Sequence, residues 1–182
     1  MNYKLFFDTS GISVQDGLSK EEFAEIERVY KICFPDELRN AFSQCLPISK
    51  GFYNWRDFSE ENVRHIERVM KEPFRNVVDY ISDVEWNTEW GKEPILLSEK
   101  KDRIRELLLT VPKLIPIYSH RYIAVLNTGD SPIISISGID MIYYGVSLED
   151  YLMREFSGSK HELVSYDAVN KIPFWSYLVE EN

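Results

Sequence analysis

The chain has 182 residues, a length typical of one domain, and we expect residues 1–182 to form a single domain. Its 30 acidic residues outnumber its 21 Lys and Arg, and the formal charge of −9 disfavours nucleic-acid binding because an acidic surface repels phosphates. No stretch approaches the roughly 18 apolar residues of a membrane span, and the N-terminal apolar run is too short for a signal peptide. We therefore expect a cytoplasmic globular protein that binds neither nucleic acid nor membrane.

The first part of the chain has the apolar spacing of helices. Ser19 and Glu22 form a capping-box pattern that predicts the start of a helix, and its apolar stripe extends to Cys33. Pro35 suits the first position of a second helix, and Pro47 is expected to end it.

The middle of the chain continues the helical pattern around a tryptophan-containing loop. Ser59 resembles the N-cap of a helix, and we expect Pro73 to close that helix and to begin another. Trp86 and Trp90 lie in an acidic loop that we expect to be packed on the core by its two indoles. Ser98 is expected to begin the next helix.

After residue 113 the pattern becomes that of short strands separated by turns. The predicted strands are Leu114–Tyr118, Tyr122–Leu126, Pro132–Ser137 and Met141–Tyr144, with turns at Ser119–Arg121 and Asn127–Asp130. Strands this close together must pair as antiparallel hairpins, because a parallel crossover needs a dozen or more residues. Several strands are apolar at both alternations, so part of the sheet is expected to be covered on both faces.

The chain after residue 146 returns to a helical pattern. Ser147 is expected to cap a helix that ends near Gly158, and the tail is expected to add a short amphipathic helix. Helices followed by a block of strands and another helix predict an α+β fold, with an antiparallel sheet of about four to six strands flanked by helices.

No motif in the chain indicates a cofactor or a metal. Cys33 and Cys45 form no Cys-x-x-Cys pair and no His is near either of them, whereas a zinc site needs about four closely spaced ligands. Both cysteines fall at apolar positions of predicted helices, which favours buried, reduced thiols. Glycine-rich phosphate loops and nucleophile elbows are absent, and His161-Glu162 lacks the second His of a zincin motif.

The His120-Arg121 pair, between the first two predicted strands, allows two interpretations. It can be the polar tip of a hairpin, with Arg121 paired to a carboxylate near the Trp loop and His120 donating to a backbone carbonyl. It can also be part of an active site, since a His there has a reference pKa near neutrality, but the adjacent Ser119 is the only nucleophile near it in sequence.

The aromatic residues also allow two interpretations, because they either pack in the core or form an exposed patch for a protein partner. We predict no catalytic residue. The candidate partner-binding residues are Trp86, Trp90, His120, Arg121, Tyr143 and Tyr144.

Residues 18–156 resemble the SUKH (Smi/Knr-like) superfamily, and in particular its bacterial immunity-protein branch. The resemblance is carried by the "PDELRNAF" helix from Pro35 to Phe42, by the strand Ile115–Ile117 and by "GIDMIYYGVSLEDYLMREF" up to Phe156. Trp90-Gly91 and His120–Tyr122 are similar to that branch as well. Residues 157–182 lie outside the resemblance and are expected to be an extension that packs on it.

The resemblance implies a compact α+β domain with a binding role and no catalytic one. Bacterial members look like immunity proteins that neutralise nuclease or deaminase toxins, so it implies a basic toxin domain as the partner and occlusion of its active site as the mechanism. A regulatory scaffold without a toxin partner is an alternative, and so is a small enzyme that uses His120 and Arg121. The oligomeric state and the contact surface are not predicted.

Overall fold

The computed structural model describes residues 1–126, 130–158 and 164–181, and it has the predicted α+β fold. Its helices are α1 (Tyr3–Thr9), α2 (Lys20–Tyr30), α3 (Asp36–Gln44), α4 (Glu60–Asp79), α5 (Leu97–Leu108), α6 (Leu148–Phe156) and α7 (Trp175–Glu180). Its strands are β1 (Val14–Asp16), β2 (Cys45–Pro47), β3 (Leu114–Tyr118), β4 (Arg121–Ala124), β5 (Ile133–Ser137) and β6 (Asp140–Gly145). Short 3-10 turns occupy Ile81–Asp83, Thr88–Trp90 and Tyr166–Ala168. None of the helices in these ranges is long and apolar enough to cross a membrane.

The main sheet is an antiparallel meander in the order β3-β4-β5-β6, as the close spacing of the strands predicts. Arg121 is paired with Ser135, which is paired with Ile142, so these three side chains share one face of the sheet. Tyr122, Ile134 and Tyr143 form the next row and lie on the opposite face. The second predicted turn, Asn127–Asp130, falls largely on residues 127–129, which lie outside the described part of the chain.

Helices cover both faces of this sheet, which accounts for strands that are apolar at both alternations. On the face that carries Tyr122, the Tyr122 hydroxyl donates to the Val69 carbonyl oxygen in α4, and the Tyr143 hydroxyl bonds to Ser176 in α7. On the face of Arg121, α6 packs against the sheet through Phe156, whose ring contacts Tyr118 edge-on at 5.2 Å. Buried residues from the N-terminal helix to α7 form one connected hydrophobic core.

The predicted capping box at the start of α2 is confirmed, because Ser19 and Glu22 each accept the other's backbone N–H. The helix ends sooner than predicted, since Lys31 adopts a left-handed conformation with φ 53°. Cys33 therefore lies beyond the helix and is exposed, and the prediction of a buried helical thiol is wrong for this residue. Cys45 is buried as predicted, but in strand β2.

Helix α4 is one continuous helix of 20 residues, although Pro73 predicted two. A proline has no N–H, so the carbonyl oxygen of Val69 loses its helical donor at this point. The hydroxyl of Tyr122 donates to that oxygen from β4. The sheet thereby satisfies the backbone group that the proline leaves without a partner, and the helix continues.

Helix α1 and the two-stranded β1–β2 sheet were not predicted, because these elements have at most seven residues. The chain passes very close to α3 after β1, where Leu18 N–H donates to the Phe42 carbonyl oxygen at 2.7 Å. A Cβ atom at Gly17 would lie 2.0 Å from the Ser43 carbonyl oxygen, so this close approach requires glycine.

Candidate functional site

The loop between α4 and α5, called the Trp loop here (residues 80–96), is fixed to the molecule by Trp90. The Trp90 indole is buried and stacks on Phe174 with ring centroids 5.2 Å apart. Tyr177 contacts the same indole edge-on at 5.1 Å, and Arg103 Nε donates to the Trp90 carbonyl oxygen at 2.9 Å. The ring is covered by this chain's own side chains, so a partner can reach only the surface around it.

Trp86 is half-buried and holds the loop in its conformation. Its Nε1 donates to the Gly91 carbonyl oxygen at 2.9 Å, and its ring meets Trp90 edge-on at 5.5 Å. Lys100 Nζ lies 5.9 Å from the centroid of the Trp86 ring and forms an ion pair with Glu93. Lys100 therefore joins the first turn of α5 to the loop.

The segment from 79 to 94 has an acidic surface. It holds five carboxylates and one lysine, and all five carboxylates are in exposed residues: Asp79, Asp83, Glu85, Glu89 and Glu93. Within the described ranges, Glu93 is the only one of the five with an ion-pair partner. The other four contribute uncompensated negative charge, which attracts a cationic surface over a distance of about one Debye length, roughly 8 Å at physiological salt.

Three consecutive apolar residues follow the acidic segment and point into solvent. Ile95 is 94% exposed, Leu96 58% and Leu97 47%, and Tyr80 at the other end of the loop is 48% exposed. The Leu96 carbonyl oxygen accepts the N–H of Lys100 at 3.0 Å, so this apolar group is fixed on the first turn of α5. Contiguous exposed apolar side chains rimmed by charge are typical of protein interaction sites.

These features together define the Trp-loop surface, which is the candidate functional site. It consists of Tyr80, Trp86, Ile95, Leu96, Leu97 and the five carboxylates of residues 79–94. The two tryptophans were among the predicted partner-binding residues, whereas Ile95–Leu97 were not. Their signal is an apolar run between Pro94 and the charged start of α5, outside the stripe that Ile104 and Leu108 bury.

The predicted hairpin tip lies where the sequence placed it, between β3 and β4. Ser119 has a positive φ of 49°, and its N–H donates to the Gly51 carbonyl oxygen at 2.8 Å. The Tyr53 hydroxyl donates to the Ser119 carbonyl oxygen at 2.5 Å. Two contacts from residues 51–53 thus hold the turn in this strained conformation.

His120 is exposed at this turn, and its Nδ1 lies 3.1 Å from the Ser119 hydroxyl oxygen. The expected bond from its ring to a backbone carbonyl is replaced by this contact. Partial burial lowers the pKa of His120, and the neighbouring Arg121 charge acts in the same direction. The imidazole is therefore neutral over a wider pH range than a free histidine.

Arg121 is held by three groups on the α6 side of the sheet. Its Nη1 donates to the Ser135 hydroxyl at 3.0 Å, its Nε lies 3.4 Å from Glu155 Oε2, and its guanidinium lies 4.0 Å above the Tyr144 ring. The carboxylate partner is therefore Glu155 of α6, whereas the sequence predicted one near the Trp loop. The strand register explains the difference, because it places Arg121 on the face opposite the one on which α7 and the Trp loop pack.

The hairpin tip therefore offers limited chemistry. A hydroxyl and an imidazole lie within hydrogen-bonding distance at Ser119 and His120. The guanidinium that could hold an anionic group beside them is engaged by Ser135, Glu155 and Tyr144. A nucleophile–base pair also needs a group that orients the base, and no hydrogen bond to the second ring nitrogen of His120 is present in the described part of the chain.

Tyr143 is buried on the α7 side of the sheet. Its hydroxyl lies 2.5 Å from Ser176 Oγ and 3.3 Å from Glu180 Oε1. Burial raises the pKa of Tyr143 to about 12, so the hydroxyl stays protonated at physiological pH. Like Trp90, it contacts its own chain, and its ring is not available to a partner.

The six predicted partner-binding residues do not form one site. Trp86, Trp90 and Tyr143 belong to the side of the sheet that carries α7, whereas His120, Arg121 and Tyr144 belong to the end near α6. Of the first group, Trp86 has partly exposed surface and lies within the Trp-loop surface. His161 lies outside the described residues. Among those that are described, no group of three or more His, Cys, Asp or Glu side chains is arranged to hold a metal ion.

No family model matches the chain, and comparisons with curated proteins and with solved structures give no match either.

Proposed function

We propose that this chain is a non-catalytic protein-binding module that covers a basic domain of its partner with the Trp-loop surface. The observation that carries the proposal is the exposed Ile95–Leu97 group, which directly follows an acidic segment whose other four carboxylates have no ion-pair partner within the described residues. Apolar anchors inside a charged rim are the usual arrangement of a protein interface.

The two components of the surface act at different stages of binding. The carboxylates attract a basic partner and raise the association rate, an effect that the net charge of −9 reinforces. Ile95, Leu96 and Tyr80 then lose water against the partner and slow its release. Because Trp86 and Lys100 already hold the loop on α5, little conformational entropy is lost on binding.

We further propose that the chain is a cytoplasmic immunity protein of the SUKH superfamily and that its partner is the nuclease or deaminase domain of a toxin. The motifs at Pro35–Phe42, Ile115–Ile117 and 138–156 support this, and so does the antiparallel α+β fold. An enzyme that acts on nucleic acid needs a basic cleft to hold phosphates, and an acidic, apolar surface is complementary to such a cleft. Occlusion of the cleft would block the substrate without any chemistry by this chain.

The test is binding to the purified C-terminal toxin-like domain encoded by the neighbouring gene, measured by calorimetry and by rescue of cells that express that domain. The variant Ile95→Ser/Leu96→Ser should weaken binding by about tenfold or more and abolish rescue. The matched control is Leu5→Ser/Met153→Ser, which removes two exposed apolar side chains elsewhere and should change the affinity less than about twofold.

A second pair of variants tests the electrostatic component. Glu85→Gln/Glu89→Gln should lower the association rate at low salt, while Glu21→Gln/Asp167→Asn, with the same change in net charge, should have a much smaller effect. Absence of a complex at low salt and of any rescue would exclude the toxin partner. If Ile95→Ser/Leu96→Ser and its control Leu5→Ser/Met153→Ser bound the partner with equal affinity, the Trp-loop surface would be excluded as the binding site.

A further inference from the structure

A groove of about 470 Å³ lies between the C-terminal ends of α2 and α5, the middle of α4 and the start of β3. Its apolar lining comes from Val29, Met70, Phe74, Leu108, Val111 and Leu114. Leu109, which is 86% exposed, extends the apolar surface at its edge. The volume lies within the range of roughly 300–1,000 Å³ that is typical of ligand sites.

The polar residues that line this groove are mainly cations. Lys31, Lys71 and Lys113 are three of the four charged residues that line it, and Glu67 is the fourth. Glu67 forms an ion pair with Lys71, and Lys113 donates to the Lys31 backbone carbonyl oxygen. The groove therefore combines an apolar floor with an excess of positive charge at its rim.

A cationic stripe on α4 continues from the groove. Arg64, Arg68, Lys71 and Arg75 follow one another at intervals of four, three and four residues, which places them on one face of the helix. They line a shallow depression of about 250 Å³ together with Glu67. Since Glu67 and Lys71 also line the groove, the apolar floor and the stripe form one continuous surface.

Part of this positive charge is not neutralised by the protein itself. Arg64 pairs with Glu60 and Lys71 with Glu67, whereas Arg68 Nη2 lies 3.1 Å from Nδ1 of His65 and not from a carboxylate. Arg75 has no ion-pair partner within the described ranges. In a chain with a net charge of −9, such a concentration of cations on one helix face, beside an apolar groove, indicates a ligand of the opposite charge.

We propose that this groove and stripe bind an acidic, amphipathic segment of a partner protein. The segment would lie along α4 as a helix, with Leu, Ile or Phe side chains in the groove and Asp or Glu side chains against Arg68 and Arg75. From Arg64 to Arg75 the stripe is roughly 17 Å long, enough for about three turns of a partner helix. This site goes beyond the proposed function, because it has the opposite charge to the Trp-loop surface and uses none of its residues.

A protein segment fits this surface better than a nucleic acid or a membrane does. Both of those carry dense negative charge, which the net charge of −9 repels at long range. A peptide helix, in contrast, can fill the apolar groove and contact the exposed Leu109, since helix-in-groove recognition inserts successive apolar side chains. A segment with a few carboxylates and apolar anchors satisfies both halves of the surface.

The probe is a fluorescein-labelled peptide of about 14 residues, with Leu and Glu patterned as an amphipathic helix. Its binding is followed by fluorescence anisotropy at two salt concentrations. The Arg68→Glu/Arg75→Glu variant should weaken binding by about tenfold, and Leu109→Ser by several-fold. All three substitutions are at exposed positions, so the fold is retained, which circular dichroism and the urea midpoint verify.

Matched controls distinguish binding at this site from non-specific binding elsewhere on the surface. Lys4→Glu/Lys20→Glu gives the same change in net charge at exposed positions of α1 and α2, and Leu5→Ser removes an exposed leucine elsewhere. Neither should change the affinity by more than about twofold. A peptide with Gln in place of Glu should bind at least about tenfold more weakly.

Three results would overturn the proposal. One is equal binding of the Glu and Gln peptides, and another is an equal loss of affinity in the control variants. The third is tighter binding of single-stranded DNA or of anionic phospholipid vesicles than of the acidic peptide. None of these measurements involves the Trp-loop surface, so their outcome is independent of the toxin-binding experiments.

Discussion

The hydroxyl of Tyr122 lies 3.2 Å from the carbonyl oxygen of Val69 and donates a hydrogen bond to it. Tyr122 is in β4 and Val69 is in α4, so the bond joins the sheet to the longest helix. Val69 is the residue whose helical donor is missing because Pro73 has no N–H. The bond therefore supplies a buried acceptor with the donor that the helix cannot provide.

Tyr122→Phe should destabilise the protein by about 1–3 kcal/mol, because it leaves the Val69 carbonyl buried without a donor. In the Pro73→Ala background the same substitution should cost less, because the N–H of residue 73 can then bond to Val69. Urea unfolding of the four proteins in this double-mutant cycle measures the difference. An equal cost of Tyr122→Phe in both backgrounds would show that the two residues do not share this acceptor.

Arg121→Met should destabilise the protein by about 3 kcal/mol, because it leaves Glu155 as a largely buried carboxylate without its cation. Glu155→Gln in the Arg121→Met background should recover part of that loss. His120→Ala, at the exposed neighbouring position, should change the free energy of unfolding by no more than about 0.5 kcal/mol. Chemical denaturation of the three variants provides the comparison. If His120→Ala proved as damaging as Arg121→Met, the turn would depend on the imidazole.

The Glu22 carboxylate should make stability depend on pH in the acid range. Its hydrogen bond from Arg56 and the N–H of Ser19 lower the pKa of Glu22 from 4.5 to about 2. A folded-state pKa below the unfolded one means that the ionised form stabilises the fold above pH 4.5, and that this contribution is lost as the pH falls towards 2. Glu22→Gln should therefore be less stable than the wild type at pH 7, and the difference should shrink between pH 4.5 and 2.

Urea midpoints at several pH values measure this difference, and Glu21→Gln, in the same helix turn, controls for the interaction of any carboxylate with the helix dipole. A gap between wild type and Glu22→Gln that stayed constant over this pH range would contradict the assigned role of Arg56.

The two cysteines should react at very different rates with a thiol reagent at pH 8. Cys33 is exposed and should react in the native protein, whereas Cys45 is buried in β2, and burial raises its pKa to about 11. Cys33→Ser should therefore remove the fast phase, and Cys45→Ser should leave it unchanged. Absorbance of the released thiolate gives both rates, and two fast thiols in the native wild type would show that β2 opens readily.

The elements that the sequence predicts well are those specified by local signals. The capping box of Ser19 and Glu22 and the closely spaced strands from Leu114 onwards depend on neighbouring residues alone, and both are confirmed. Helix α4 differs because its continuity depends on Tyr122, which lies 49 positions further along the chain than Pro73. No local pattern around Pro73 shows that a donor will come from the sheet.

Burial of individual side chains is harder to predict than secondary structure. Trp90 and Tyr143 are of residue types that are common at protein interfaces, but the α7 region covers both of them. The position of that helix is known only from the fold. Ile95–Leu97 show the reverse case, because apolar residues are normally expected inside and these three remain exposed. The acidic character of the Trp loop could be read from the sequence, whereas its apolar anchors had only one weak signal, the apolar run that follows Pro94.

The meander has a consequence for how this protein is made. Strands that follow one another directly can pair as soon as they leave the ribosome, since each turn closes a short loop and little chain entropy is lost. The face that carries Tyr143, however, stays partly uncovered until residues 175–180 have been translated and α7 can dock with Trp175 against Phe74. During that interval the nascent chain presents an exposed apolar face, which makes it prone to aggregation until α7 docks.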